Sequence, residues 1–218
     1  MWDEHLEREA ARYRDGEARL PDIDDPDLRQ RQLTRMGNAA WGAGLSSLML
    51  GDSASAGAWF DRAVERYGGS LDDAPPGSWG RYIGSIKCRI LAGDWTGAEL
   101  EAARTIDAGA PAAESPIGKY AAALAFLVLG ADGDARLLAD EIRGRGDFPG
   151  AVGDSLAMLA AGTDRPGYVT AVEAVLASFE ERDEYLEDVP VADTVIVLQA
   201  LAERRGLAAE LSSPLLPV

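Results

Sequence analysis

Ser115-Pro116-Ile117-Gly118-Lys119-Tyr120-Ala121-Ala122-Ala123-Leu124-Ala125-Phe126-Leu127-Val128-Leu129-Gly130 carries both of its own ends. Ser115 is an N-cap type, whose hydroxyl accepts from a first-turn N–H, and Pro116 follows at the first helical position, where no amide donor is needed. Ile117, Tyr120, Ala121, Leu124 and Val128 recur at the three-and-four spacing of one helix face. Gly130 closes the segment, because glycine takes the left-handed stop conformation cheaply. The apolar run Tyr120–Leu129 makes about 15 Å of helix. Crossing hydrocarbon takes roughly 30 Å, so the run reads as a buried core helix.

The same punctuation extends in both directions. Trp2, Leu6 and Tyr13 mark a first amphipathic helix ending near Leu20. Pro21-Asp22-Ile23-Asp24-Asp25 is a polar linker, and Asp25-Pro26 is a second cap-and-proline start. Leu33, Met36, Ala40, Gly44 and Leu48 line the helix that follows, up to Gly51-Asp52. Ala56, Phe60, Ala63, Val64 and Tyr67 line the next, closed by Gly68-Gly69. Ser78 is placed to cap a helix carrying Trp79, Ile83, Ile86 and Ile90, which ends at Gly93-Asp94. Trp95, Ala98, Ala102 and Ile106 form its partner. Beyond Gly130, Ala135, Leu138 and Ile142 make a return helix. Val152, Leu156 and Leu159 precede a stop at Gly162. Val169, Val172, Leu176 and Phe179 follow the start at Asp164 and Pro166. Asp188 and Pro190 open a last helix with Val191, Val195, Leu198 and Ala202, stopped at Gly206. Val189–Val197 is β-branched enough for a buried strand, but Arg204 and Arg205 near the negative end of the dipole favour a helix. The apolar tail from Leu211 to Val218 is expected to dock on the last helices.

Gly51, Gly93, Gly130 and Gly162 are separated by 42, 37 and 32 residues, near the roughly 34–47 of two-helix repeat units. The expected fold is all-α. It comprises about nine helices in stacked antiparallel hairpins, either a tetratricopeptide-like solenoid or an irregular bundle. Residues 1–25 form an N-terminal helix and acidic linker, and residues 26–218 a single hairpin array with a docked tail.

Composition narrows function. With 218 residues, 47% of them apolar, the chain can bury a sizeable core. Cys88 is the only cysteine, which suits a reducing compartment. Met1-Trp2-Asp3-Glu4-His5-Leu6-Glu7-Arg8-Glu9 lacks the basic-then-apolar order of a signal peptide, so a cytoplasmic location is expected. The net charge of −16 opposes binding to nucleic acid or anionic lipid and favours a basic protein partner. With only Lys87 and Lys119 as lysines, the same acidity also fits a general surface adaptation in a GC-rich genome.

Chemical motifs are weak. Gly153-Asp154-Ser155-Leu156 spells the signature of GDSL esterases, but His5 is the only histidine to activate a serine and it lies in the first helix. Asp22-Ile23-Asp24-Asp25 matches the DxDD motif of proton-initiated terpene cyclases, in which a carboxylic acid protonates an alkene inside an apolar cavity. A small-molecule or cyclase-like enzyme using these acids is the alternative function. One His and one Cys build no ordinary zinc site, and no EF-hand or phosphate loop occurs. No catalytic residue, cofactor or metal is expected.

Two clusters are candidates for partner binding. Trp41, Trp59, Trp79, Tyr82 and Trp95, with Arg81, have the residue types that dominate interface hot spots; the same rings also serve to fill gaps between helices. Glu180, Glu181, Asp183, Glu184, Glu187 and Asp188 form an acidic run suited to a basic partner or to a solvated helix end.

The C-terminal third adds a resemblance. Val191–Ala202 leads into Arg205-Gly206-Leu207, and Ser213-Pro214-Leu215-Leu216-Pro217 closes the chain. This ending resembles that of the all-α immunity proteins numbered forty-nine in bacterial polymorphic-toxin systems. The resemblance implies an all-α protein that neutralises a toxin by binding it directly, and it carries over no functional residue.

Overall fold

A computed structural model describes residues 1–217. Among them the protein is all-α, with ten α-helices, three short 3-10 turns and no strand. No helix of the described residues is long and apolar enough to cross a membrane. Val218, the last residue of the expected docking tail, lies outside the described residues. Of residues 211–217, Ser212 and Pro214 are exposed and the others half-buried.

Helix ends fall where local chemistry puts them. Asp25, Ser115 and Asp164 cap their helices by accepting from the backbone N–H of Leu28, Gly118 and Gly167 at 2.8, 3.2 and 2.9 Å. Asp52, read as part of a stop, also caps the following helix through Ser55 N–H at 3.0 Å. Gly51, Gly93, Gly130, Gly162 and Gly206 all have φ between 69° and 76°, the left-handed region that a Cβ makes costly.

Three expectations need correction. Ser78 precedes its helix but makes no side-chain cap; its hydroxyl donates backwards to the Pro75 carbonyl at 2.7 Å. Ile117 is 46% exposed, because the first turn of its helix has fewer neighbours than the middle. The last helix starts at Asp193, not behind Pro190. Val189 is extended, and Val189 and Val191 are buried ahead of the helix.

The chain divides into two compact units. The first holds residues 1–94, 183–191 and the C-terminal residues from 214; the second holds residues 95–182 and 192–213. The division falls in the Gly93-Asp94 turn. In the first unit α1 (Trp2–Arg19) packs on α2 (Pro26–Met49), α2 on α3 (Ser53–Gly69), and α3 on α4 (Trp79–Leu91). In the second, α5 (Trp95–Asp107), α6 (Pro116–Leu129), α7 (Asp132–Arg143), α8 (Gly150–Ala161) and α9 (Arg165–Glu180) each pack on the next, and α10 (Asp193–Glu203) lies on α8 and α9.

Close approach is built on missing side chains. Tyr67 of α3 is fully buried, and its hydroxyl donates to Asn38 Oδ1 at 2.9 Å. A Cβ at Gly37 on α2 would stand 2.7 Å from that ring, and one at Gly84 on α4 would stand 2.8 Å from it. The ring is held between two bare backbones. Phe60 is seated the same way against Gly44. In the second unit, α6 buries Ala121, Ala122, Ala123 and Ala125 completely, so small residues set the helix spacing there too.

Gly84→Ala is expected to lower stability by about 1–3 kcal/mol, because Tyr67 has no side to which it can move. Gly57→Ala, in the interior of α3 with nothing within 4 Å of the added carbon, is expected to raise it by about 0.5–1 kcal/mol through helix propensity. Urea unfolding of the two variants checks both signs.

Candidate functional site

The aromatic residues singled out in the sequence each have their own companion. Trp79 and Tyr82 share a ring contact, with centroids 5.7 Å apart, as their three-residue spacing on α4 dictates. Trp41 faces Lys87, whose Nζ is 5.6 Å from the ring centroid; the indole N–H is buried without a hydrogen-bond partner among the described residues. Trp95 belongs to the second unit, where the Arg204 guanidinium lies 4.2 Å over its ring. Arg81 is spent on structure. It donates to the Ser70 carbonyl at 2.8 Å and to Gln30 Oε1, tying α4 to the end of α3 and to α2.

Trp59 is different. It stands edge-on to Tyr13 of α1, with centroids 5.6 Å apart, and Arg62 lies 4.4 Å over its face. Tyr13, Arg14, Glu17, Trp59 and Arg62 line a surface recess of about 270 Å3. Arg66 underpins it, donating from Nε to the Tyr13 hydroxyl at 2.9 Å and from Nη2 to Glu17 Oε1 at 3.0 Å. Helical spacing had the partial signal, since Trp59 with Arg62 and Tyr13 with Glu17 each share a face. The meeting of α1 with α3 had none.

A charge cluster lies elsewhere on α1. Glu9 is fully buried, yet its carboxylate accepts from Arg8 Nε at 2.7 Å and from Arg12 Nη1 at 3.0 Å. Arg12 also pairs with Glu187, and Arg8 donates to the Glu187 carbonyl. Residues 183–191 are thereby strapped to the first unit. Glu187 and Asp188 have φ of 56° and 53°, a left-handed conformation costing about 1–2 kcal/mol per L-residue. The strap is held in spite of that strain. A Cβ at Gly42 would come within 3.0 Å of Glu9 and 3.4 Å of Val189, so α2 leaves room for both.

The acidic run is therefore not one object. Glu187 is engaged with Arg12. Glu180, Glu181, Asp183 and Glu184 are exposed, and Glu180 accepts from the Ser213 hydroxyl at 2.7 Å. The acidity itself is evenly spread. The first unit carries 12 Lys and Arg against 20 Asp and Glu, the second 9 against 17.

The enzyme-like motifs sit in unreactive settings. Ser155 is buried inside α8, where its hydroxyl donates to the Ala151 carbonyl at 2.9 Å, and Asp154 pairs with Arg143 at 3.1 Å. Asp22, Asp24 and Asp25 are exposed, and Asp25 is committed to capping α2. An alkene-protonating acid needs a dry apolar surround, which these three lack. Among the described residues no group of three or more His, Cys, Asp or Glu is arranged to hold a metal ion.

Two measurements test this layout. Arg12→Ala is expected to cost about 1–2 kcal/mol, the low end for bonds to charged groups because Arg12 is half exposed, and to speed hydrogen exchange at Val189 and Val191. His5 titrates below its ordinary value of 6.5, first through burial, then through Arg8 and the N-terminal amine. The unfolded chain therefore takes up the proton more readily. Stability is complete above the unfolded value and falls as pH drops through 6.5 toward the lower folded value. His5→Phe, which keeps a ring against Trp2, should flatten stability between about pH 7 and 5 in denaturant midpoints.

Comparison with family models, with curated proteins and with solved structures found no match.

Proposed function

We propose that this chain is a non-enzymatic protein-binding module whose anchor is the Trp59 recess. The recess itself carries the support. It joins Trp, Tyr and Arg, the side chains that bury the most area with a directed polar tip at interfaces. Its volume of about 270 Å3 lies below the roughly 300–1,000 Å3 of small-molecule sites. A site of that size receives one or two side chains of a partner more readily than a whole substrate.

The net charge of −16 supports a partner that is basic overall, since the field of an acidic protein speeds encounter with cations. Exposed Glu180, Glu181, Asp183 and Glu184 suit that steering role. Cys88, the only cysteine, is buried, which suits a reducing cytoplasm. The narrower form of the proposal is an immunity protein that neutralises a basic toxin by direct binding, and it rests on the C-terminal resemblance alone.

Affinity capture from the native cell, followed by mass spectrometry, tests the proposal. A partner retained at low salt and released at high salt is expected. Trp59→Ala should weaken its binding by about 2 kcal/mol or more, the threshold of a hot spot. Absence of any retained partner, or unchanged affinity of the Trp59→Ala chain for it, would sink the proposal.

A further inference from the structure

We infer that the Trp59 recess receives a carboxylate-bearing side chain of the partner, a Glu or Asp flanked by an aliphatic or aromatic residue, although the chain as a whole is strongly acidic. This rests on the protein-binding proposal and names the chemistry of its anchor. Around the recess the negative charge is already answered. Glu17 is the only carboxylate in its lining, and Arg66 holds it at 3.0 Å while also bonding Tyr13.

The positive charge is not answered. Arg14 is exposed and makes no hydrogen bond or ion pair among the described residues. Arg62 is exposed too, makes no hydrogen bond or ion pair there, and stacks on Trp59. Stacking uses the face of a guanidinium and leaves its in-plane N–H donors free. Arg35 and Arg204 likewise lack a carboxylate partner among the described residues; what marks the recess is that two such arginines line it together. Arg12, Arg19, Arg31, Arg66, Arg89 and Arg136 of the same chain are each paired with Asp or Glu.

Two uncommitted guanidiniums beside an indole and a phenol form a site with both an anionic and an apolar preference. A planar carboxylate matches the guanidinium fork. The half-buried Trp59 ring takes the neighbouring side chain, and Tyr13, itself only 4% exposed, backs it edge-on. A smaller recess of about 140 Å3, beside Gly16 and Met36, also contains arginines. There Arg12 is bound to Glu9 and Glu187, and Arg19 to Asp15, so only Arg35 remains free. The Trp59 recess is the better built of the two. Long-range steering and local anchoring then act separately: overall acidity draws a basic partner in, and the recess reads one acid on its surface.

The test titrates the 15N-labelled full chain with acetyl-Leu-Glu-Leu-amide, with acetyl-Leu-Gln-Leu-amide and with inorganic phosphate. The side-chain N–H signals of Arg14, Arg62 and Trp59 are followed by NMR. The Glu peptide should shift all three, bind about tenfold or more tightly than the Gln peptide, and weaken as salt is added. Arg14→Gln combined with Arg62→Gln should erase the preference for Glu while lowering the thermal unfolding midpoint by no more than about 2–4 °C, the effect of losing one exposed cation–ring stack. Equal binding of the two peptides, no shift at those three groups, or phosphate binding more tightly than the Glu peptide would each overturn the inference. A captured partner that needs Trp59 but not Arg14 and Arg62 would overturn the carboxylate anchor alone and leave the protein-binding proposal standing.

Discussion

Large side chains in the first unit are seated on backbone that has no side chain of its own. Tyr67 lies between Gly37 and Gly84, and Phe60 lies against Gly44. Three helices are drawn together by these two rings. Each added methylene would have to be absorbed by a packed interior that has little slack. The position of α3 relative to α2 and α4 follows from this fit, and so does the place where Trp59 and Arg62 emerge. The recess is a by-product of where α3 must sit.

Charge is organised by the same packing. A buried carboxylate is tolerated only where its hydrogen-bonding capacity is filled. Glu9 meets that condition through Arg8 and Arg12, and Arg12 reaches on to Glu187. One buried acid thereby holds a strap whose own backbone is strained. Apart from Glu9, Glu101 and Asp193 the negative charge lies at the surface, shared evenly between the units, which argues for a general property of the surface more than for one acidic face. At the recess two arginines, Arg14 and Arg62, stand together without a carboxylate partner among the described residues.

The tryptophans illustrate how composition misleads. Grouped in sequence between residues 41 and 95, they invite a single aromatic patch. In space each takes its own companion: Lys87 for Trp41, Arg62 and Tyr13 for Trp59, Tyr82 for Trp79, Arg204 for Trp95. A half-buried indole offers a face that a cation covers favourably, as at Trp41, Trp59 and Trp95. Arg81, plausible as a hot-spot residue, is instead a bolt between backbone and Gln30.

By itself the sequence determined the class of fold and nearly every helix end. Those are local matters. A cap acts over three residues, a proline acts on its own φ, and a glycine stop depends on one Cβ that is absent. Where two local signals competed, over Val189–Val197, residues 189–192 stayed outside the helix and the rest joined it from Asp193. Only the tertiary structure decided what the surface offers. Tyr13 and Trp59 are far apart in the chain, and they meet because glycines on α2 and α4 admit the rings of α3. No periodicity along the chain encodes that meeting, because the free energy that brings the two together resides in the packing of other residues.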